Sequence, residues 1–369
     1  MRKVLSPILS LPTPSNISYA WRGGSLLGLA LGIQIITGVI MTISYCSDVT
    51  LAFSSVIHIM RDSGIGWLIR LIHCNGARFY ILFIYLHIAR GLYYKRPSRK
   101  PITWSVGVTM YLISIGVAFL GYVLPWGQIR FWGATVITNL IRAFPGGDDL
   151  VVWVWGGFSV GGPTLTRFYT LHFLLPFGVL VLIVVHLASL HATGRSNPLG
   201  SRFHIGKAHF HPYFTYKDIY GFIVYFWLFS FVVFYASYSL LDAENFIEAN
   251  RIVTPTHIQP EWYFLFAYAI LRRIPRKLGG VIALLLSVLV LYVLPFKRSK
   301  NSPKPLFWRF CVVFLLLTWL GSCHIEEPYT RLSILLRVLY FVLIIIICFI
   351  GEIITLPFHG KIFLNKKIK

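Results

Sequence analysis

Charged residues are scarce in this sequence of 369 residues, and acids are the scarcest of them. Aspartate and glutamate number 12 against 34 lysines and arginines, and hydrophobic residues make up 56% of the chain. This composition, with a mean hydropathy of +0.71, excludes an ordinary soluble globular protein. The five cysteines form no C-x-x-C or C-x-x-C-H motif, which argues against a thiolate metal site and covalent c-type haem.

The sequence contains long runs of apolar residues with few charges. Eight are long enough to cross a hydrocarbon layer of about 30 Å: 23–46, 67–91, 102–124, 168–191, 219–241, 278–296, 305–323 and 332–354. The sequence therefore predicts an all-α membrane protein with about eight transmembrane helices and both termini on one side. We call that side inner and the opposite side outer.

The net charge of +22 comes from short loops between the apolar runs, not from one basic stripe that would bind nucleic acid. Most basic residues fall on the inner side, where the only acids are Asp218 and Glu352. This bias follows the positive-inside rule and places both termini in the mitochondrial matrix or the bacterial cytoplasm. Residues 1–19 lack a signal-peptide pattern. We expect membrane lipids, and no nucleic acid, among the partners.

Two predicted spans repeat one spacing of histidines. His73 and His87 lie fourteen residues apart in the second span, as do His172 and His186 in the fourth. Fourteen helical residues advance about 21 Å and return to nearly the same face. The two spans run in the same direction, which pairs His73 with His172 toward the outer side and His87 with His186 toward the inner side. Four imidazoles in two pairs suit two bis-histidine haem irons better than zinc or a di-iron site.

Glycines in the first and third predicted spans repeat the histidine spacing. Gly24 and Gly38 lie fourteen residues apart, and so do Gly107 and Gly121. Glycine is common in membrane helices, but it also lets a flat macrocycle approach the backbone where any Cβ would collide. The matching register favours room for haem.

Two arginines flank the histidines of the second span. Arg70 precedes His73 by three residues, and Arg90 follows His87 by three. Both are candidates for holding haem propionates. Arg90 is equally explained as a helix end reaching toward the membrane surface, whereas Arg70 lies on the side where the positive-inside rule disfavours it.

An isolated acid follows the fifth predicted span on the outer side. Glu261 is the only acid between Arg251 and Glu326, and it stands among aromatic residues in the sequence PEWY. A carboxylate there is unfavourable unless it handles protons or pairs with a cation. An interfacial loop acid is the plain alternative, but the shared side with the outer histidine pair favours a function.

Four motifs give the chain a resemblance to a known family. They are GYVLPWGQ at 121–128, FWGATVITNL at 131–140, HPYFTYKDIYG at 211–221 and QPEWYFLFAYAILRRIPRKLGG at 259–280. With the paired histidines, they resemble cytochrome b of the respiratory ubiquinol:cytochrome c oxidoreductase (complex III) over nearly the whole chain. The resemblance implies two b-type haems, ubiquinol and ubiquinone as substrates, and a dimeric complex with an iron-sulfur (Rieske) protein and a cytochrome c-type subunit.

The resemblance also implies the members of an outer site. Tyr122, Gly133 and Tyr268 stand where cytochromes b line the quinol pocket, and Glu261 stands where they accept a proton. The glycine-rich stretch between the third and fourth spans is expected to form interfacial helices where the iron-sulfur protein docks.

An inner, quinone-reducing site is implied by His191 and Asp218. Such a pair would hydrogen-bond the quinone carbonyls and relay protons, although a helix-end histidine and an N-cap aspartate are simpler explanations. Three arginines depart from the family pattern. Arg22 stands where asparagine is common, Arg195 stands where a small hydroxyl residue is usual, and Arg78 is unusual in its span.

We expect residues 1–212 to form a dihaem four-helix bundle with interfacial helices, and residues 213–369 to form four helices that complete the quinol site. A mitochondrial inner membrane is the expected location, with a bacterial plasma membrane as the alternative. A dihaem oxidoreductase of the ferric reductase or NADPH oxidase type is a second reading, but no G-x-G-x-x-G nucleotide fold follows the helices. A haem-free proton-coupled transporter is a third.

Overall fold

The chain folds almost entirely into helices. A computed structural model describes residues 10–94, 97–192, 194–198, 206–272, 274–296 and 304–347. Within them the helices are α1 (Gly23–Thr42), α2 (Ala52–Arg61), α3 (Gly66–Tyr93), α4 (Pro101–Val123), α5 (Gln128–Asn139), α6 (Gly147–Trp155), α7 (Gly162–Ala192), α8 (Tyr213–Tyr235), α9 (Leu265–Leu271), α10 (Lys277–Leu289), α11 (Lys304–Ser322) and α12 (Tyr329–Ile345). Strands β1 (Pro12–Pro14) and β2 (Lys207–His209) pair antiparallel, with Pro12 opposite His209.

Among the described residues, six helices are long and apolar enough to cross a membrane, namely Tyr19–Thr42, which includes α1, together with α3, α4, α7, α8 and α11. This confirms the predicted all-α membrane fold. The sixth predicted span differs, because α10 ends at Leu289 and gives way to the 3-10 turns Val290–Tyr292 and Leu294–Phe296. Pro295 in the second turn has no backbone N–H to continue an α-helix.

The eighth predicted span, 332–354, corresponds to α12. That helix has 17 residues, about 25 Å at 1.5 Å per residue, which is close to the thickness of a hydrocarbon layer. The rest of the predicted span, from residue 348, lies outside the described residues.

Four of the spanning helices form a bundle. Helix α1 packs along α3, α4 packs along α7, and contacts of α3 with α4 and of α1 with α7 close the bundle. A second core lies where α9, α11 and α12 meet, around the fully buried Ile270, Leu317 and Leu320. The Tyr85 hydroxyl of α3 donates to the Tyr263 carbonyl at 2.5 Å. This bond ties the bundle to the segment that precedes α9.

Two short helices connect α4 to α7. Helices α5 and α6 have 12 and 9 residues, too few to span a bilayer. Gly146 and Gly156 flank α6, each with a φ of 71°, a left-handed conformation that glycine adopts without steric penalty. The predicted interfacial segment is therefore helical, with sharp turns at both ends of α6.

Candidate cofactor and quinone sites

The outer histidine pair lies face to edge across the bundle. His73 on α3 and His172 on α7 have ring centroids 6.2 Å apart and ring planes inclined by 82°. Two metal–nitrogen bonds of about 2 Å each, plus roughly 1 Å from each nitrogen to its ring centre, add up to about 6 Å. One metal ion fits between these two rings.

The inner histidine pair has nearly the same separation. His87 on α3 and His186 on α7 have ring centroids 6.5 Å apart and planes inclined by 52°. The structure therefore brings together the same two pairs of histidines that the fourteen-residue spacing predicts. Two sites of matching width lie at different depths between the same two helices.

Glycine backbone lies directly against both outer imidazoles. A Cβ placed on Gly38 would come within 3.1 Å of Cε1 of His73, and a Cβ on Gly121 would collide with the ring of His172. Real Cβ contacts are rarely this short. The neighbour of these glycines in the structure is the imidazole, whereas the sequence predicted the approach of a macrocycle, which stays a prediction.

The inner glycines are less tightly packed. A Cβ on Gly107 would lie 3.2 Å from Cε1 of His186, whereas one on Gly24 would lie 3.8 Å from Cε1 of His87. Gly23 is closer, because its Cβ would lie 3.2 Å from Nδ1 of the same histidine. The sequence spacing selected Gly24 and missed Gly23, although the Gly-Gly pair was the available signal.

Hydrogen bonds orient both outer imidazoles. The Nδ1 group of His172 donates to the Val117 carbonyl at 2.9 Å. Nδ1 of His73 lies 2.9 Å from the Thr37 hydroxyl, which itself donates to the Ile33 carbonyl at 2.6 Å. Because Nδ1 carries the proton in both rings, each Nε2 lone pair is free for a metal. No role was predicted for Thr37, a polar residue one position before Gly38.

The candidate propionate ligands occupy different environments. Arg70 lines the cavity that contains His73. Nη2 of Arg90 lies 3.3 Å from Nδ1 of His87, and the buried Nε of Arg90 has no hydrogen-bond partner among the described residues. A free buried guanidinium N–H is what a carboxylate would accept from. Both arginines therefore fit a haem with propionates at these positions.

A single cavity joins the outer histidine pair to the outer acid. Its empty volume is about 1450 Å³, part of it open to the surroundings, and its walls include His73, His172, Tyr122, Arg78 and Glu261. The same cavity therefore borders both imidazoles and the carboxylate.

Two arginines hold the outer acid. Glu261 is 6% exposed, and its Oε1 lies 2.9 Å from Nη2 of Arg78 and 3.5 Å from Nη2 of Arg130. Helices α3 and α5 supply these two cations, and both are buried. The sequence identified Arg78 only as unusual and missed Arg130. The available sequence signal was an arginine among apolar residues in GQIRFWG, which does not by itself point to Glu261.

The other predicted outer-site residues divide into two groups. The Tyr122 hydroxyl accepts from Nη2 of Arg78 at 3.4 Å, and the guanidinium carbon of Arg130 lies 3.7 Å from its ring centre. Tyr268 instead donates to the Ile258 carbonyl at 3.0 Å. Gly133 has open space at its Cα. In the described part of the chain, Gly133 and Tyr268 do not line the cavity.

The two predicted inner-site residues lie near consecutive helix ends. His191 is in the last turn of α7, and Asp218 is near the start of α8. No hydrogen bond joins them among the described residues. Burial lowers the pKa of Arg195, and the negative charge of Asp218 opposes that shift, which makes Arg195 an electrostatic neighbour of the acid.

Arg22 and Arg195 also hold the start of the first helix. The guanidinium carbon of Arg22 lies 4.1 Å from the Tyr19 ring centre, and its side chain packs on Gly221 of α8. Arg195 donates to the Trp21 carbonyl at 3.3 Å. Both departures from the family pattern thus lie near Asp218, while Arg78 lies at the outer acid.

Two family models match this chain. The model described as Cytochrome b/b6/petB matches residues 8–194, and the model described as Cytochrome b(C-terminal)/b6/petD matches residues 248–341. The chain belongs to the cytochrome b family. It is 55% identical to cytochrome b of Albinaria caerulea over 349 residues, which are 92% of this chain and 95% of that relative.

Two further relatives support the same assignment. Cytochrome b of Brachionus plicatilis is 52% identical over 362 residues, 95% of each chain. This chain is also similar to a solved chain described as hyperthermophilic respiratory Complex III. The TM-score is 0.91 and the sequence identity 32%, over 96% of each chain. Family membership implies b-type haem binding, and the two histidine pairs are the described residues whose geometry fits it.

Proposed function

We propose that this chain is the membrane electron-transfer subunit of a ubiquinol:cytochrome c oxidoreductase. It oxidises ubiquinol at the outer site, reduces ubiquinone at the inner site, and couples the two reactions to proton translocation. One observation carries this proposal: two histidine pairs of matching width lie in one bundle, and a buried acid shares the cavity of the outer pair.

His73 and His172 would hold the outer b-type haem, and His87 and His186 the inner one. Arg70 and Arg90 would bind their propionates. When bound, the two haems supply the redox chemistry that moves an electron between the two sides of the membrane.

At the outer site, Glu261 accepts a proton from the quinol. Its ion pairs with Arg78 and Arg130 hold the carboxylate at the cavity wall, where a carboxylate can act as a general base. Tyr122 lies on the same guanidinium groups and borders the position of the quinol. Gly133 and Tyr268, which do not line this cavity, are proposed as further members of the pocket from the resemblance alone. The two electrons separate, one to the iron-sulfur protein and one inward through the bundle.

At the inner site, His191 and Asp218 deliver protons to the quinone carbonyls. The guanidinium group of Arg195 lies within electrostatic reach of Asp218, so the carboxylate and a permanent cation act on one site. A positive charge there favours the reduced, more negative forms of a quinone.

The partners follow from the same proposal. The chain works in a homodimeric complex with an iron-sulfur (Rieske) protein, which docks on α5 and α6, and with a cytochrome c-type subunit. Animal relatives support the mitochondrial inner membrane, with both termini in the matrix. Residues 1–212 carry the haems, and residues 213–369 complete the quinol site.

A reduced spectrum of the purified complex, followed by acid-acetone extraction, tests the proposal. We expect two low-spin b-type haems per chain, both extractable, and oxidation of ubiquinol with cytochrome c as acceptor. Absence of haem bands would identify a transporter. Reduction by NADPH without quinol oxidation would identify an oxidoreductase of the ferric reductase type.

A further inference from the structure

Arg272 joins the end of α9 to the end of α11. Its Nη2 donates to the carbonyls of Leu320 and Cys323, at 2.8 and 2.7 Å. The last carbonyls of a helix have no partner within the helix, and they form the negative end of the helix dipole. A guanidinium group is therefore well placed to cap α11 at this end.

The same guanidinium group lies over Tyr268. Its central carbon is 4.8 Å from the tyrosine ring centre, within the range of a cation–π interaction. The hydroxyl at the far end of that ring donates to the Ile258 carbonyl at 3.0 Å. Ile258 lies three residues before Glu261. A chain of contacts thus runs from the end of α11, through Arg272 and Tyr268, to the segment that carries the outer acid.

The end of α11 also touches the start of α9 through the backbone. A Cβ on Gly321 would collide with the carbonyl oxygen of Leu265, the first residue of α9. This contact sets the distance between α9 and α11, and Leu320, beside the glycine, is fully buried. Arg272 therefore reaches a fixed target, not a frayed helix end.

We infer that Arg272 is a positioning residue for the proposed quinol-oxidising site. It fixes the ring of Tyr268 against α11 and, through the tyrosine hydroxyl, the backbone before Glu261. This inference rests on the proposed function, since it requires that Glu261, which lines the cavity, act on the quinol. Arg272 acts through Tyr268 and does not take part in the proton transfer.

Substitutions at Arg272 separate positioning from charge. Arg272→Gln removes the cation and shortens the donor, which releases Tyr268 and, through the Ile258 carbonyl, loosens the backbone before the cavity residue Glu261. A loosened wall weakens binding of substrate and transition state alike, so the KM for ubiquinol should rise about tenfold with kcat lowered less than twofold. Arg272→Lys keeps the charge and one donor, and should recover most of the change in KM. Arg331→Gln, at an exposed arginine that pairs with Glu327 in the next turn of the chain, is the matched control.

A double-substitution cycle tests whether the effect passes through the tyrosine. Tyr268→Phe removes the bond to Ile258 and keeps the ring. The KM increase of the double variant Arg272→Gln/Tyr268→Phe should be smaller than the product of the two single increases, because both variants break one chain of contacts. Complex purified to equal haem content is assayed with ubiquinol and cytochrome c.

Each outcome of this assay decides between the two ideas. An unchanged KM in Arg272→Gln would overturn the positioning role. So would a KM increase in the double variant equal to the product of the two single increases. Equal losses of haem in Arg272→Gln and Arg272→Lys would overturn it as well. Failure of the unsubstituted complex to oxidise ubiquinol would instead overturn the proposed function. Three results together would support the positioning role and the proposed function. The KM rises about tenfold in Arg272→Gln, it is mostly restored in Arg272→Lys, and its increase in the double variant is smaller than the product of the two single increases.

Discussion

The outer and inner ends of the bundle hold similar histidine pairs in different surroundings. At the outer end, each imidazole has a neutral hydrogen-bond acceptor, from Thr37 or Val117, and opens on a cavity shared with Glu261. At the inner end, His87 faces the guanidinium group of Arg90, and the nearby acid, Asp218, is only half-buried.

This difference separates ligand geometry from proton chemistry. The two ring separations differ by only 0.3 Å, from 6.2 to 6.5 Å, so both ends suit the same kind of metal group. The acids differ far more: one is buried between two guanidinium groups, and the other lies beside a partly buried arginine near helix ends. We expect the two ends to bind alike and to exchange protons differently.

Removing a histidine should have the largest effect, because it should leave one end of the bundle without haem and the other end with it. His172→Ala should abolish only the outer haem, and His186→Ala only the inner one, because each site loses an axial ligand. Potentiometric titration of the reduced bands measures each haem separately. Loss of both haems from either variant, in complex that is still assembled, would contradict two independent sites.

Adding one methyl group should distinguish the packing of the ends. Gly121→Ala forces the His172 ring to move and should remove most of the outer haem, since overpacking typically destabilises by about 1–3 kcal/mol. Gly24→Ala, whose new Cβ meets His87 at an ordinary distance, is the control and should retain the inner haem. Haem content per chain measures both. Equal retention in the two variants would refute the role of close packing.

Neutralising Glu261 should sharpen the difference in proton chemistry. Glu261→Gln keeps the size of the side chain but removes the base. General-base catalysis typically contributes at least about 10²-fold to a rate. We therefore expect quinol oxidation to slow by at least about tenfold. Stopped-flow reduction of the inner haem, with the inner site blocked, measures the rate. Glu261→Asp keeps the charge opposite Arg78 and Arg130 and should be affected less. An unchanged rate in the glutamine variant would leave Glu261 a structural ion-pair partner.

The smallest expected effect is at the inner acid. Asp218→Asn should slow reoxidation of the inner haem by quinone several-fold, because one of two proton donors is lost while His191 remains. Quinol oxidation in the first turnover should be unchanged. Single-turnover traces measure this oxidation, and multiple-turnover traces measure the slower reoxidation of the inner haem. A first turnover slowed to the same extent would mean that Asp218 belongs to the outer site.

Periodic features were predictable from the sequence, and long-range contacts were not. The fourteen-residue spacing of His73 and His87 placed both rings on one helical face, because helix geometry alone fixes that relation. Arg130 lies 131 residues from Glu261, and no local pattern relates them. The early end of α10 at Leu289 was also missed, since the apolar run continues unchanged through the 3-10 turns.

The resemblance identified Tyr268 but not what holds it. Arg272 follows Tyr268 by four residues in one short helix, so their stacking is a local relation that could have been predicted. Its bonds to the Leu320 and Cys323 carbonyls depend on how α9 meets α11, which only the packing of the second core determines.

The glycine contacts of the histidines have a consequence for the thermodynamics of haem capture and electron transfer. Backbone on one side, and at the outer end a hydrogen bond on Nδ1, restrict the rotation of each imidazole within the folded chain. The ordering entropy of the ligands is therefore lost during folding, and little of it remains to oppose binding of the metal group. Rings held in this way also move little when the charge of the metal changes. The reorganisation energy of each electron transfer is correspondingly small, so the same glycines that admit the ligands should make both centres fast.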